Sequence, residues 1–123
     1  MALKFYKCEK CNTIIVRPFN NCAEDGGKMV ELTANTEEAA FEKHIPAVTV
    51  NGNAVHVEVG EVLHPMLEAH FITFICLETQ KGYQFVELQP GMEPVADFAV
   101  AEGDAPVAAY EYCNLHGLWK AEI

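Results

Sequence analysis

The hydrophobic and polar positions divide the chain into two stretches of different character. Residues 1 to about 34 hold short apolar runs broken by cysteines and turn signals. One strand is expected near Phe5–Lys7, a second near Thr13–Val16, and a third over Lys28–Leu32 after Gly26-Gly27. From residue 35 onward the pattern is mostly that of strands. Asn35 with Glu38 three residues later predicts a capped helix over Thr36–Lys43, which Pro46 ends. Ala47–Val50 and Ala54–Val59 flank Asn51-Gly52-Asn53, a hairpin signature. In the second of these, Val55, Val57 and Val59 alternate with His56 and Glu58, as a half-buried strand does. Phe71–Glu78 is nearly continuously apolar, the pattern of a central strand buried on both faces. Tyr83–Leu88, Val95–Val100, Val107–Tyr112 and Trp119–Ala121 complete the set.

Six or seven short strands with regular turns and almost no helix predict an all-β, antiparallel β-sandwich over residues 35–123. Residues 1–34 form a unit too small to bury a core of its own, so they need a metal, a partner chain or the rest of the protein.

At 123 residues the chain is long enough for one domain with a real core. The N-terminus lacks the apolar run of a signal peptide, and no stretch is long and apolar enough for a membrane span. These features predict a cytoplasmic protein. Eighteen acidic residues against eight basic ones give a formal net charge of -10. Nucleic acid and anionic membrane are poor partners for such a chain, because both reward Lys/Arg patches. Five cysteines, an odd number with no secretory signal, argue for metal ligands or buried thiols over a disulfide framework.

Candidate chemistry lies at the strand ends. His44 follows the predicted helix, His64 and His70 bracket the loop before the central strand, and Cys113-Asn114-Leu115-His116 follows Val107–Tyr112. The C-x-x-H spacing lets a thiolate and an imidazole converge on one ion. Joined by three further loop histidines, it indicates a metal centre. His56, alternating with valines inside a strand, reads as a face residue, and Cys76 in the apolar strand reads as a buried small hydrophobe. Structural zinc takes four ligands, so five donors are one too many. Blue copper needs two His, one Cys and usually a Met after the second His, whereas Gly117-Leu118-Trp119 follows His116. Four imidazoles and a thiolate better suit iron, with one octahedral position open to an oxygen species.

Three stretches carry a family resemblance: Glu42-Lys43-His44-Ile45-Pro46, His64-Pro65-Met66 through His70, and Tyr112-Cys113-Asn114-Leu115-His116-Gly117-Leu118-Trp119. In this order they resemble the superoxide reductases (desulfoferrodoxin and neelaredoxin), over residues from about 35 to 121. The resemblance implies an immunoglobulin-like β-sandwich, usually a homodimer, preceded by a small desulforedoxin-like unit. It implies one mononuclear iron with His44, His64, His70 and His116 equatorial and Cys113 axial. Superoxide would bind opposite Cys113, accept one electron and leave as hydrogen peroxide. An external donor, typically a rubredoxin, would then restore the iron.

The same motif implies that Glu42 closes onto the ferric iron and that Lys43 draws in superoxide. Lys43 also answers the difficulty of an anionic substrate on an anionic protein. With a screening length of roughly 8 Å at physiological salt, a nearby charge outweighs a diffuse one.

The resemblance fails in one place. Two-iron members carry C-x-x-C and a later adjacent Cys-Cys pair. Cys8 and Cys11 match the first pair, but Glu24-Asp25 stand where the second is expected, and only Cys22 lies nearby. Cys8, Cys11 and Cys22 are therefore expected to be the remnant of a decayed site, leaving one iron per chain. Two rival readings are an electron-transfer iron protein without a catalytic role and a zinc-stabilised interaction module built on Cys8, Cys11 and Cys22.

Overall fold

A computed structural model describes residues 3–9, 13–16, 29–37 and 39–123. The chain divides into two compact units, Met1–Thr33 and Ala34–Ile123.

The first unit carries β1 (Phe5–Cys8), β2 (Ile14–Val16) and β3 (Met29–Glu31), hydrogen-bonded in the order β2-β1-β3. Both pairings are antiparallel. Phe5 stands opposite Val16, and Cys8 opposite Met29. The Cys8 N–H donates to the Thr13 carbonyl at 2.9 Å. Cys8 is half-buried at the end of β1. Cys11, Cys22 and the Glu24-Asp25 position lie outside the described residues, so the expected remnant site does too.

The second unit is an antiparallel β-sandwich. One sheet has the order β10-β9-β6-β7, built from β6 (Ile72–Thr79), β7 (Tyr83–Glu87), β9 (Pro106–Cys113) and β10 (Gly117–Glu122). The other has the order β4-β5-β8, built from β4 (Pro46–Asn51), β5 (Ala54–Val59) and β8 (Val95–Ala99). The predicted hairpin is present. Asn51 pairs with Ala54 across Gly52-Asn53, and Gly52 adopts the positive φ of +61° that such a tight connection requires. Along β5 the valines turn inward and are almost wholly buried, while His56 and Glu58 face outward.

The core between the sheets is made by Val55, Val57 and Val59 from one side and Ile72, Ile75, Leu77, Ala109 and Cys113 from the other, with Phe98 and Leu88 completing it. The predicted central strand is β6, which pairs with β9 on one side and β7 on the other. It is apolar on both faces. Ile75 and Leu77 enter the core, while Phe74 on the opposite face packs against Phe85 at 4.6 Å between ring centroids. Cys76 is fully buried as expected, and burial pushes its thiol pKa up to about 12.

The predicted helix over Thr36–Lys43 is corrected to a single turn, α1 (Phe41–His44), which begins after Ala40 with no side-chain cap. Asn35 does not cap it because its side chain is engaged elsewhere. Its Oδ1 accepts from the Lys120 N–H at 2.8 Å, and its Nδ2 donates to the Lys120 carbonyl at 3.1 Å. Asn35 is instead pinned to β10, with its φ at +62°.

Register places the functional loops together. Pro46 at the start of β4 stands opposite Val59 at the end of β5. In the other sheet Cys113 at the end of β9 pairs with both Ile72 at the start of β6 and Gly117 at the start of β10. A register shift between Ile72 and Phe74 interrupts the regular β6–β9 pairing beside Cys113.

Candidate metal centre

Three connections supply five donors: the end of α1, the segment from β5 to β6, and the turn from β9 to β10. His44, His64, His70, Cys113 and His116 each offer one ligand atom, and these atoms all lie within 4.8 Å of one another. The four imidazoles form a closed ring. Centroids are 4.6 Å apart for His44–His64, 4.5 Å for His64–His70, 5.1 Å for His70–His116 and 4.9 Å for His116–His44. Each neighbouring pair meets edge-on, at interplanar angles between 73° and 84°. Cys113 enters from β9 with its Sγ 3.5 Å from His64 Nε2 and 3.7 Å from His116 Nδ1.

The hydrogen bonds decide which nitrogens face inward. His44 Nδ1 lies 2.8 Å from the Ala40 carbonyl oxygen, and His64 Nδ1 lies 2.7 Å from the Pro65 carbonyl oxygen. A carbonyl only accepts, so both Nδ1 atoms carry protons and both Nε2 atoms present lone pairs to the centre. Those two Nε2 atoms stand 3.1 Å apart. His70 Nε2 is buried without a hydrogen-bond partner among the described residues. Unpaired inward-facing nitrogens are costly unless something binds them, and a metal cation does. On donor type, number and direction, the set fits an iron ion.

The electrostatics agree with neutral imidazoles. Burial lowers the pKa of His44 and His70, and takes that of His64 down to about 4. The like charges of the neighbouring histidines act in the same direction, and Lys43 does so at His44 and His70. Cys113 moves the other way. Its pKa is raised, first by burial and also by the nearby Glu111, so a bound cation is needed to hold the thiolate.

Backbone and packing hold these loops in place. Trp119 stacks on His44 at 5.0 Å, and its indole N–H donates to the His116 carbonyl at 2.9 Å. Asn114 ties the C-x-x-H turn to the preceding segment: its Oδ1 accepts from the Phe71 N–H, and its Nδ2 donates to the Ala69 carbonyl. Leu67 and His70 close their loop by reciprocal backbone bonds of 2.9 and 3.0 Å. Gly60, at φ +85°, lets the segment before His64 lie against α1. A Cβ there would stand 2.6 Å from the Glu42 carbonyl oxygen. Sequence reasoning missed Asn114, Trp119 and Gly60 as positioning residues, although the first two lie inside the motif that carried the resemblance. It also missed Glu111, a fully buried carboxyl with no hydrogen-bond partner among the described residues, whose pKa burial raises well above its ordinary value.

Glu42 and Lys43 are both exposed on α1. Glu42 is not among the five clustered residues. It lines an open cleft of ≈ 420 Å³ with Phe41, Ile45, Pro46, Ala47 and Glu61. His56 stays away from the centre, as its alternation with valines predicts. Its Nδ1 is 2.6 Å from Asp97 Oδ1 and its Nε2 is 3.1 Å from Glu58 Oε1.

Comparison with known proteins places this arrangement. A family model described as desulfoferrodoxin matches residues 36–122. A desulfoferrodoxin from Clostridium acetobutylicum is 47% identical over 77% of this chain and 74% of its own length. One from Syntrophotalea carbinolica is 41% identical over 98% of this chain and 96% of its own. The crystal structure of the superoxide reductase from Treponema pallidum superposes with a TM-score of 0.84 at 36% identity, covering 99% of this chain and 100% of that one.

Proposed function

Because the chain belongs to the desulfoferrodoxin family, we propose that it reduces superoxide to hydrogen peroxide at one iron held by His44, His64, His70, His116 and Cys113. The observation that carries this reading is the convergence of those five ligand atoms within 4.8 Å of one another. Bound ferrous iron would supply the single electron, and two protons from solvent complete hydrogen peroxide.

The protein's own groups set the conditions for that exchange. The Nδ1 bonds of His44 and His64 to Ala40 and Pro65 aim their Nε2 lone pairs at the metal. Lys43 draws the anionic substrate toward the centre against the net charge of the chain. Its ammonium already bears on His44 and His70 electrostatically. Glu42, one residue before it, would be the residue to close the site between turnovers. One electron is consumed per superoxide, so an external donor such as a rubredoxin would be needed. The same reading takes a homodimer as the working form, one iron per chain, and Cys8, Cys11 and Cys22 as a vestige.

Pulse radiolysis of the anaerobic ferrous protein tests the reading. Each iron is expected to consume one superoxide and yield one hydrogen peroxide without releasing oxygen. Lys43→Ala is expected to slow the reaction and flatten its dependence on salt. Release of oxygen would indicate dismutation, and no peroxide at all would leave an electron carrier. Iron and zinc per polypeptide, counted by plasma mass spectrometry, check the number of metals.

A further inference from the structure

The four imidazoles are not held in the same way. Carbonyl oxygens fix the outward nitrogens of His44 and His64, and the Trp119 indole N–H fixes the His116 carbonyl. The buried Nε2 of His70 has no hydrogen-bond partner among the described residues, so the direction of this ring rests on its backbone. His70 is only half-buried and its neighbour Ala69 is exposed. Packing therefore constrains it less than it does the buried His44 and His64.

That backbone is held from two sides. The Leu67 N–H donates to the His70 carbonyl at 2.9 Å, and the His70 N–H donates to the Leu67 carbonyl at 3.0 Å. These bonds lie within one loop and move with it. Asn114 takes the residues before and after His70. Its Oδ1 accepts from the Phe71 N–H at 3.0 Å, its Nδ2 donates to the Ala69 carbonyl at 3.1 Å, and its own N–H donates to the Phe71 carbonyl at 3.2 Å. The β6–β9 pairing reaches Ile72 and Cys113, and Asn114 carries the connection past the end of the sheet to His70. Because Asn114 directly follows Cys113, these bonds join one ligand segment to another. The position calls for an acceptor and a donor on one short side chain. An amide has both, whereas a carboxylate only accepts and would meet the Ala69 carbonyl with a like charge.

We propose that Asn114 is a positioning residue that sets His70 against the Cys113 sulfur, so that its amide governs how tightly the centre holds iron and how the thiolate is coupled to it. This inference rests on the proposed iron site and not on the reduction of superoxide. Asn114 is exposed, and water competes for exposed hydrogen bonds, so these bonds add little to overall stability. Their effect falls on the centre, where groups outside the ligands govern metal affinity by about 10–100-fold.

Three variants test this. Asn114→Ala removes both side-chain bonds, and Asn114→Asp keeps the acceptor for Phe71 but not the donor for Ala69. Gln84→Ala is the control. It removes a comparable bond, from Gln84 Nε2 to the Ala99 carbonyl at 2.8 Å, where β8 pairs with the Ala54 end of β5 and not the Val59 end. Anaerobic titration reads ferrous-iron affinity, and the ferric protein reads the thiolate-to-iron absorption band. Hydrogen exchange of the Phe71 N–H in the metal-free protein reads the bond itself.

Asn114→Ala is expected to lose about tenfold in iron affinity, to shift the absorption band and to lose protection at Phe71. Asn114→Asp is expected to keep that protection and still shift the band, which carries the comparison should the alanine variant fail to fold. Gln84→Ala is expected to change neither affinity nor band. An unchanged band and affinity in both Asn114 variants would overturn the proposal. So would a lowered melting temperature without a shifted band, because that is the result of a purely structural bond. Iron binding by the wild type, measured in the same titration, separates failure of this role from failure of the iron site.

Discussion

His44 and His64 aim their Nε2 atoms at each other across 3.1 Å while their Nδ1 atoms are committed to the Ala40 and Pro65 carbonyls. Two lone pairs so close repel unless a cation lies between them. The two residues therefore work against the metal-free fold and for the loaded one.

His64→Leu separates those effects. Losing an outer-shell partner of a ligand costs about 10–100-fold in metal affinity, and losing the ligand itself is expected to cost more. The melting temperature of the metal-free variant is expected not to fall, because a buried polar repulsion has been replaced by apolar packing. Metal titration and calorimetry of the metal-free protein measure the two quantities. A loss of metal-free stability would show that the imidazole is held by something other than the centre.

Cys113 is a buried thiol whose pKa is raised above its ordinary value, whereas burial holds His64 neutral down to about 4. Loading with ferrous iron at pH 7 is thus expected to release a proton from the sulfur and none from His64. Metal uptake followed with an indicator dye in unbuffered solution reads this directly. Cys113→Ser is expected to abolish both the release and the thiolate-to-iron absorption band.

Gly60→Ala tests the backbone that aligns the second ligand with the first. The new Cβ would meet the Glu42 and Val62 carbonyl oxygens at 2.6 Å, at a φ of +85° that side chains rarely adopt. A cost of about 3 kcal/mol is expected from strain and displacement together. Since the crowded atoms belong to α1 and to the segment before His64, metal affinity should fall along with melting temperature. Chemical denaturation and metal titration together check both.

His56 gives a pH signature that does not depend on any metal. Its pKa is raised, chiefly by its hydrogen bond to Asp97 and then by that to Glu58. A group with a raised folded pKa contributes stability below its unfolded value of about 6.5 and loses that contribution as pH rises through the folded value. Because the cluster is well exposed, the contribution is about 0.5 kcal/mol and is screened by salt. The melting temperature of the wild type relative to His56→Gln is expected to be highest near pH 5.5 and to level off above pH 8. An equal difference at both ends would remove the ion pairs from the account.

The β character of the chain was legible wherever side chains alternate or run continuously apolar. Val55, Val57 and Val59 named their face of β5, and Phe71–Glu78 revealed a strand buried on both sides, because a period of two and a lack of polar positions are local properties. The helix was misread for a reason that no local pattern contains. Asn35 has the chemistry of a cap, but its side chain bonds to the Lys120 backbone, 85 residues away in the chain.

The candidate site divides along the same line. Residue type and order named four histidines and a cysteine, since ligand chemistry is carried by the side chain itself. Register decided that they meet, by setting Pro46 opposite Val59 and Cys113 between Ile72 and Gly117 at one end of the sandwich. Folding alone decided which nitrogen of each ring faces the centre, because that depends on where the Ala40 and Pro65 carbonyls fall.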